Sequence, residues 1–336
     1  MIHLISKSNF ALQFSLGFIA VMISTILSAS EFPDKTKKEG GTWAEKLGFP
    51  EGKKVLMLHA DDAGMCEEAN IAIKNYLDKN EIQNAAIMVP CPFAKPAMKW
   101  AVEHPNVDIG LHLTLTSEWK TYRWGPVADL SEVPGLVDSN NKFWHEVPQV
   151  VKHASAEEVE KEIRAQIEKA KSAGMNPSHI DTHMGTLYGS PEYVKVFLKV
   201  AEEYGIPANA IELSNPKVVE HFKKSGYPIT DEVIKTMENY SLPKLDFFTS
   251  VPKGKTYEEM REKFFQLIKN LPNGLTEIIF HPSIETEKLK TITNSWQQRI
   301  WESELFSDPV VKNFFNDEEI IFTDYKEIMR RFKKKD

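Results

Sequence analysis

The stretch KKVLMLHADDAG, residues 53–64, decides how this chain is read. It is apolar from Val55 to Leu58, as a buried strand is, and it ends in two consecutive aspartates ahead of Gly64. A doubly wound nucleotide-binding sheet would carry a glycine-rich phosphate loop at this point. Neither GxGxxG nor GxxxxGK occurs here or elsewhere in the chain.

Outward from this strand, short apolar runs alternate with amphipathic ones. The pattern predicts strands over 53–60, 84–90, 107–116, 178–183, 211–214 and 276–283. It predicts helices over 67–80, 92–105, 155–174, 191–205 and 256–270, with a final element over 319–332. The 155–174 segment is the clearest helix. Ser155 and Glu158 form a capping box, Val159, Ile163 and Ile167 form an apolar stripe, and Gly174 closes the end. Strand–helix alternation implies an α/β protein with a mostly parallel sheet. The missing phosphate loop favours a (β/α) barrel, here a single domain over 53–332. In such a barrel the chemistry gathers at the C-terminal ends of the strands.

Composition narrows the function. The 336 residues carry 41 Lys+Arg against 48 Asp+Glu, a net charge of −7, with 42% hydrophobic and 26% charged residues. This is the profile of an ordinary globular protein. It argues against nucleic acid as the main partner, because phosphate binding needs a basic face. Two cysteines exclude a disulfide framework and a cysteine-based zinc site. Cys66 and Cys91 read as two separate thiols, with a bridge left open by the export inferred next. Lys7, the apolar run 10–29 and the small residues Ser28, Ala29 and Ser30 make residues 1–30 read as a secretory signal peptide. The alternative is an uncleaved N-terminal anchor, the one route by which this chain would meet a membrane. Both place the rest of the chain outside the cytoplasmic membrane, in a periplasmic or extracellular setting. Residues 31–52 are polar and rich in Gly, Pro and Lys, and read as a linker.

Polar residues do collect at the strand ends. Asp61 and Asp62 end the first strand, His112 lies in IGLHLTLT (109–116), His179, Asp181 and His183 in HIDTH (179–183), and His281 in FHPS (280–283). One aspartate and two histidines are a common ligand set for a divalent metal that keeps a position open for water or substrate. A second carboxylate then serves as general base, and a further histidine protonates the leaving group. Residue types alone leave open which aspartate and which histidines take each role. His59 and His179 read as structural, and Asp181 as an orienting partner of a ligand histidine. No GxSxG or HExxH motif is present.

At these residues the chain resembles the YdjC-like carbohydrate deacetylase family, which includes chitooligosaccharide and hopanoid-associated deacetylases. His59-Ala60-Asp61-Asp62-Ala63-Gly64 resembles its opening motif, Gly110–Thr116 its second, His179–His183 its third and His281-Pro282 its last, in the same order. The resemblance covers roughly residues 53–330. It implies a distorted (β/α) barrel of the polysaccharide-deacetylase type and a divalent metal, Mg or Zn, held by Asp62, His112 and His183. It also implies Asp61 as general base, His281 as general acid, and removal of acetyl from an N-acetylated oligosaccharide. An O-acetyl esterase on the same barrel and a non-catalytic carbohydrate-binding protein are the alternatives. The third motif continues here as Met184-Gly185-Thr186-Leu187, where many relatives have two further histidines, and Ser283 stands for the usual glycine. Sugars stack on aromatic faces, so Trp119, Tyr122, Arg123 and Trp124 are read as a substrate rim. Asn294, Trp296 and Arg299 stay open between the same rim and ordinary packing, and a homodimer is left open.

Overall fold

The computed structural model describes residues 41–334. The expected signal segment, 1–30, lies outside them. Seven parallel strands form one sheet: β1 Lys54–Ala63, β2 Asn84–Ile87, β3 Asp108–Leu113, β4 Ile180–Thr182, β5 Phe247–Ser250, β6 Gly274–Phe280 and β7 Ile321–Phe322. Their order is β4-β3-β2-β1-β6-β5, and β7 pairs with Val55 and Leu56 of β1. The ends of this row are joined by residues 207–212. The Ile180 amide donates to Pro207 and the Asn209 amide to Ile180; the Leu245 amide donates to Ala210 and the Glu212 amide to Leu245. The sheet therefore curls into a distorted barrel, and the strand expected over 211–214 is present only as this bridge.

The alternation along β1 explains how the barrel is filled. Leu56, Leu58 and Ala60 face outward into the main core beneath the helices. Val55 and Met57 join Leu275, Tyr325 and Ile328 in a second apolar cluster at the barrel base. His59 and Asp61 stand above that cluster, toward the strand ends. The linker expected over 31–52 does not extend through residues 42–49, which belong to the fold. Thr42 and Glu45 form a capping box that starts the helix Trp43–Lys46, and Ala44, Leu47 and Phe49 are buried in the basal cluster.

The helix over Ala156–Ser172 has the capping box expected at Ser155 and Glu158, with Val159, Ile163 and Ile167 fully buried. Gly174 and Gly205 have φ of +92° and +63°, the left-handed conformation that ends helices. Helices over Pro216–Lys224, Asp231–Asn239, Trp296–Leu305 and Pro309–Asp317 were not anticipated. Both cysteines are free and buried. Burial pushes the Cys66 thiol up to about 12, which keeps it protonated. Among the described residues, no helix is long and apolar enough to cross a membrane.

Candidate metal centre

The C-terminal ends of the strands open into a cavity of about 740 Å³ lined by Asp61, Asp62, His112, Asp181, His183 and His281. Strict alternation along β1 would send Asp61 and Asp62 to opposite faces. The structure avoids this. Pairing with β2 slips between Ala60 and Ala63, and Asp62 adopts a left-handed backbone with φ +66°. This irregularity turns both carboxylates toward the cavity. A left-handed pair, Met184 (φ +53°) and Gly185 (φ +66°), follows His183 and turns the chain just beyond β4. A Cβ on Gly185 would lie 2.9 Å from the Tyr227 hydroxyl, so the glycine also admits that ring.

Three donor atoms converge. His112 Nε2 is 3.1 Å from His183 Nδ1, and Asp62 Oδ1 is 3.7 and 3.5 Å from these two nitrogens. Ligand atoms held at about 2.1 Å from one ion stand about 3–3.4 Å apart, so the spacing fits a divalent cation. Asp62 Oδ1 is buried and has no hydrogen-bond partner. An anionic oxygen left bare beside two imidazole nitrogens is what a cation would satisfy. Two other His/Asp groupings, Asp61–His112–Asp181 and His59–His179–Asp181, are close-set as well. In these two, Asp181 faces both rings: His112 Nδ1 lies 2.6 Å from Asp181 Oδ1 and His59 Nε2 2.9 Å from Asp181 Oδ2, while His59 Nε2, His179 Nε2 and Asp61 Oδ1 also lack a well-aligned hydrogen bond.

Each candidate ligand has a second partner that fixes its orientation. Asp181 holds His112, Glu118 Oε2 lies 3.1 Å from His183 Nε2, and Arg299 Nη2 donates to Asp62 Oδ2 at 2.7 Å. Carboxylates behind metal-binding histidines fix the ring and its tautomer. Burial alone would lower the pKa of His112, but the Asp181 and Asp61 carboxylates overcome it and raise the value to about 9. Burial would raise the Asp62 carboxyl, yet the Arg299 guanidinium and the neighbouring imidazoles hold it well below the carboxylate range.

Beneath the cavity, fully buried His59 ties the network together. Its Nδ1 is 2.8 Å from Asn84 Oδ1, and its Nε2 is 2.9 Å from Asp181 and 3.1 Å from Asp61 Oδ1. Burial opposes charge on this ring, but the Glu277, Asp181 and Asp61 carboxylates raise it well above the usual histidine range. Asp61 thus has one oxygen at ion-pair distance from His59 below. Its other oxygen, Oδ2, lies 3.5 Å from Nε2 of His281, whose side chain is 27% exposed at the cavity mouth. The His281 amide donates to Glu302 Oε2 at 2.7 Å.

His179 stays out of this site. It lies at the foot of β4, stacked on Tyr325 with ring centroids 4.2 Å apart and its Nδ1 3.3 Å from Asp108. The aromatic rim needs correction. Trp119 lines the cavity. Tyr122 donates to the Met65 carbonyl, Arg123 is engaged by Asp138, His145 and the Phe143 carbonyl, and buried Trp124 donates to the Thr116 carbonyl. These three hold the loop together, and none of them lines the cavity. The sequence gives no sign of Glu118 or Glu302, reads His59 as structural without its tie to the site, and leaves Arg299 between substrate rim and packing. Glu118 sits beside the aromatic stretch, and no local pattern marks Glu302.

The sequence profile of the YdjC-like protein family matches residues 55–317. The chain belongs to the YdjC-like family. A carbohydrate deacetylase of Thermus thermophilus is 30% identical over 270 residues, covering 80% of this chain and 91% of the relative. A carbohydrate deacetylase of Thermoanaerobacter pseudethanolicus is 25% identical over 272 residues, covering 81% and 98%. Among solved structures, an Enterococcus faecalis protein named for cellobiose-phosphate cleavage superposes with a TM-score of 0.68 at 24% identity, covering 82% of this chain and 99% of that one. This last likeness concerns the fold.

Proposed function

We propose that this YdjC-like protein is a metal-dependent hydrolase that removes acetyl from an N-acetylated carbohydrate. The observation that carries the reading is the unpartnered Asp62 Oδ1 facing His112 Nε2 and His183 Nδ1, with a second carboxylate and a cavity-facing histidine beside it. The names of the relatives supply the carbohydrate and the acetyl group.

Asp62, His112 and His183 would hold a divalent cation, Mg or Zn. Bound there, such an ion polarises an amide carbonyl and lowers the pKa of water. The remaining roles belong to the chain's own groups. Asp61 acts as general base: His59 and the network beneath fix its Oδ1, and Oδ2 is directed to the cavity to accept the proton of the attacking water. His281, with Nε2 3.5 Å from that oxygen, delivers a proton to the departing amine. Trp119 offers an aromatic face to the sugar. Asp181 and Glu118 orient the two histidines.

Export is proposed from residues 1–30 alone, and cell fractionation with an N-terminal sequence of the mature protein tests it. The activity is tested by acetate release from N-acetylglucosamine oligosaccharides and O-acetylated sugars. The protein is stripped of metal and then given Mg²⁺, Zn²⁺, Mn²⁺ or Co²⁺. Metal-restored release from an N-acetyl sugar is the expected result. Release from esters alone would keep the site and change the reaction. Absence of both metal binding and release would overturn the reading.

A further inference from the structure

The helix Trp296–Leu305 contributes two side chains to the site from a stretch whose role the sequence left undetermined. Arg299 meets Asp62, and Glu302, almost one turn later, takes the His281 amide. The helix is tied down there as well, because the Ser283 amide donates to the Arg299 carbonyl at 3.1 Å.

We infer that Arg299 is a positioning residue that reserves one oxygen of Asp62, so that a cation in the site meets a single carboxylate oxygen. The inference rests on the metal reading above. Four observations carry it. First, Arg299 Nη2 and Asp62 Oδ2 are 2.7 Å apart, and both side chains are buried. Second, the other oxygen, Oδ1, is the unpartnered atom facing the two histidines. Third, Asp62 sits on a left-handed backbone, where strand geometry does not set the direction of its side chain, so an external hold is needed. Fourth, Nε and Nη1 of Arg299 have no hydrogen-bond partner and are buried. The guanidinium therefore spends its bond on Asp62 rather than sharing it with another carboxylate. Its carbon lies 5.8 Å from the Trp119 ring centre, which braces it from the cavity side.

Arginine suits the task because it is always charged and only donates. A carboxylate free to turn can offer both oxygens to one ion. The second oxygen would then occupy a position that a hydrolytic site keeps open for water or substrate. By holding Oδ2, Arg299 keeps that position free while leaving the ligand set intact.

The test is a titration of Co²⁺ into the metal-stripped full-length protein and its R299M and R299K variants. The visible spectrum of bound Co²⁺ follows its ligand number and geometry. R299M is expected to bind Co²⁺ with an altered spectrum and to lose kcat by about tenfold or more, as outer-shell substitutions do. KM for an N-acetyl oligosaccharide should stay near wild type. R299K, which keeps a cationic donor, is expected to lie between the two. An unchanged Co²⁺ spectrum in R299M, with a raised KM and a preserved kcat, would make Arg299 a substrate contact and overturn the inference. Should R299M fail to fold by circular dichroism, R299Q carries the same comparison with an uncharged donor. Failure of the wild-type protein to take up Co²⁺ is a separate result, and it would sink the metal reading itself.

Discussion

Asp181 Oδ1 lies 2.6 Å from His112 Nδ1, while Oδ2 of the same carboxylate lies 2.9 Å from His59 Nε2. One buried aspartate thus orients a candidate metal ligand and also neutralises the histidine beneath the candidate base. The neighbouring imidazoles hold its carboxyl well below the usual range even though burial opposes this. D181N keeps the shape and removes the charge. It is expected to weaken Zn²⁺ or Co²⁺ binding by about 10–100-fold, measured by competition with a chelator. Metal affinity equal to wild type would dismiss Asp181 as an orienting group.

The proton on His112 sets how metal uptake depends on pH. In the metal-free protein the ring titrates near 9, above its ordinary value, so it is largely charged at pH 7. A cation needs Nε2 without its proton, while Nδ1 keeps the proton shared with Asp181. Because the pKa is raised, affinity should climb as pH rises and level off above about 9. The slope below that point should be about tenfold per pH unit for one displaced proton. Uptake should therefore release about one proton from this ring, read with an indicator dye in weak buffer. Affinity independent of pH between 6 and 8 would contradict a charged His112.

The strand glycine Gly110 explains a position that otherwise looks arbitrary. A Cβ there would lie 2.4 Å from His179 Nε2, inside the buried stack of His179 on Tyr325. His179 is fully buried and held by Ser178 and Asp108, so the ring has no room to retreat. G110A should destabilise the fold by about 1–3 kcal/mol, the usual cost of overpacking, seen as a lower Tm. A variant melting with wild type would mean that the base of the barrel yields more readily than this packing suggests.

These cases show what was legible in the sequence and what was not. The strand-end acids and imidazoles could be read because each sits in a short apolar run whose local pattern announces a strand. The barrel followed because a missing phosphate loop is itself a local observation. The direction of Asp62 was not legible, since it depends on one left-handed backbone angle and a slip in pairing with β2. The partners that orient the site were hidden for a different reason. Glu118 meets His183 across 65 residues and Arg299 meets Asp62 across 237, and no local periodicity reports a contact at that range. The same limit misassigned the rim, where four neighbouring polar and aromatic residues looked alike until their hydrogen bonds separated one from three.

That separation gives a last prediction. Trp119 lines the cavity, whereas Trp124 is buried, donates to the Thr116 carbonyl, and packs edge-on to Trp119 and to His183 at 5.4 and 6.4 Å. If the aromatic face that meets the sugar is Trp119, W119A should raise KM for an oligosaccharide by about 2–13-fold, the range expected for losing ~0.5–1.5 kcal/mol of aromatic contact. Its Tm should change less than that of W124A, because a partly buried ring at the cavity wall leaves no closed cavity. W124A removes a buried indole and should cost about 3–5 kcal/mol of stability. Any loss of activity in W124A would then follow the loss of folded protein rather than a change in KM. Parallel melts and saturation curves for the two variants decide the matter. A raised KM in W124A at full stability, with W119A unaffected, would reverse the assignment and put the buried ring in the substrate's path.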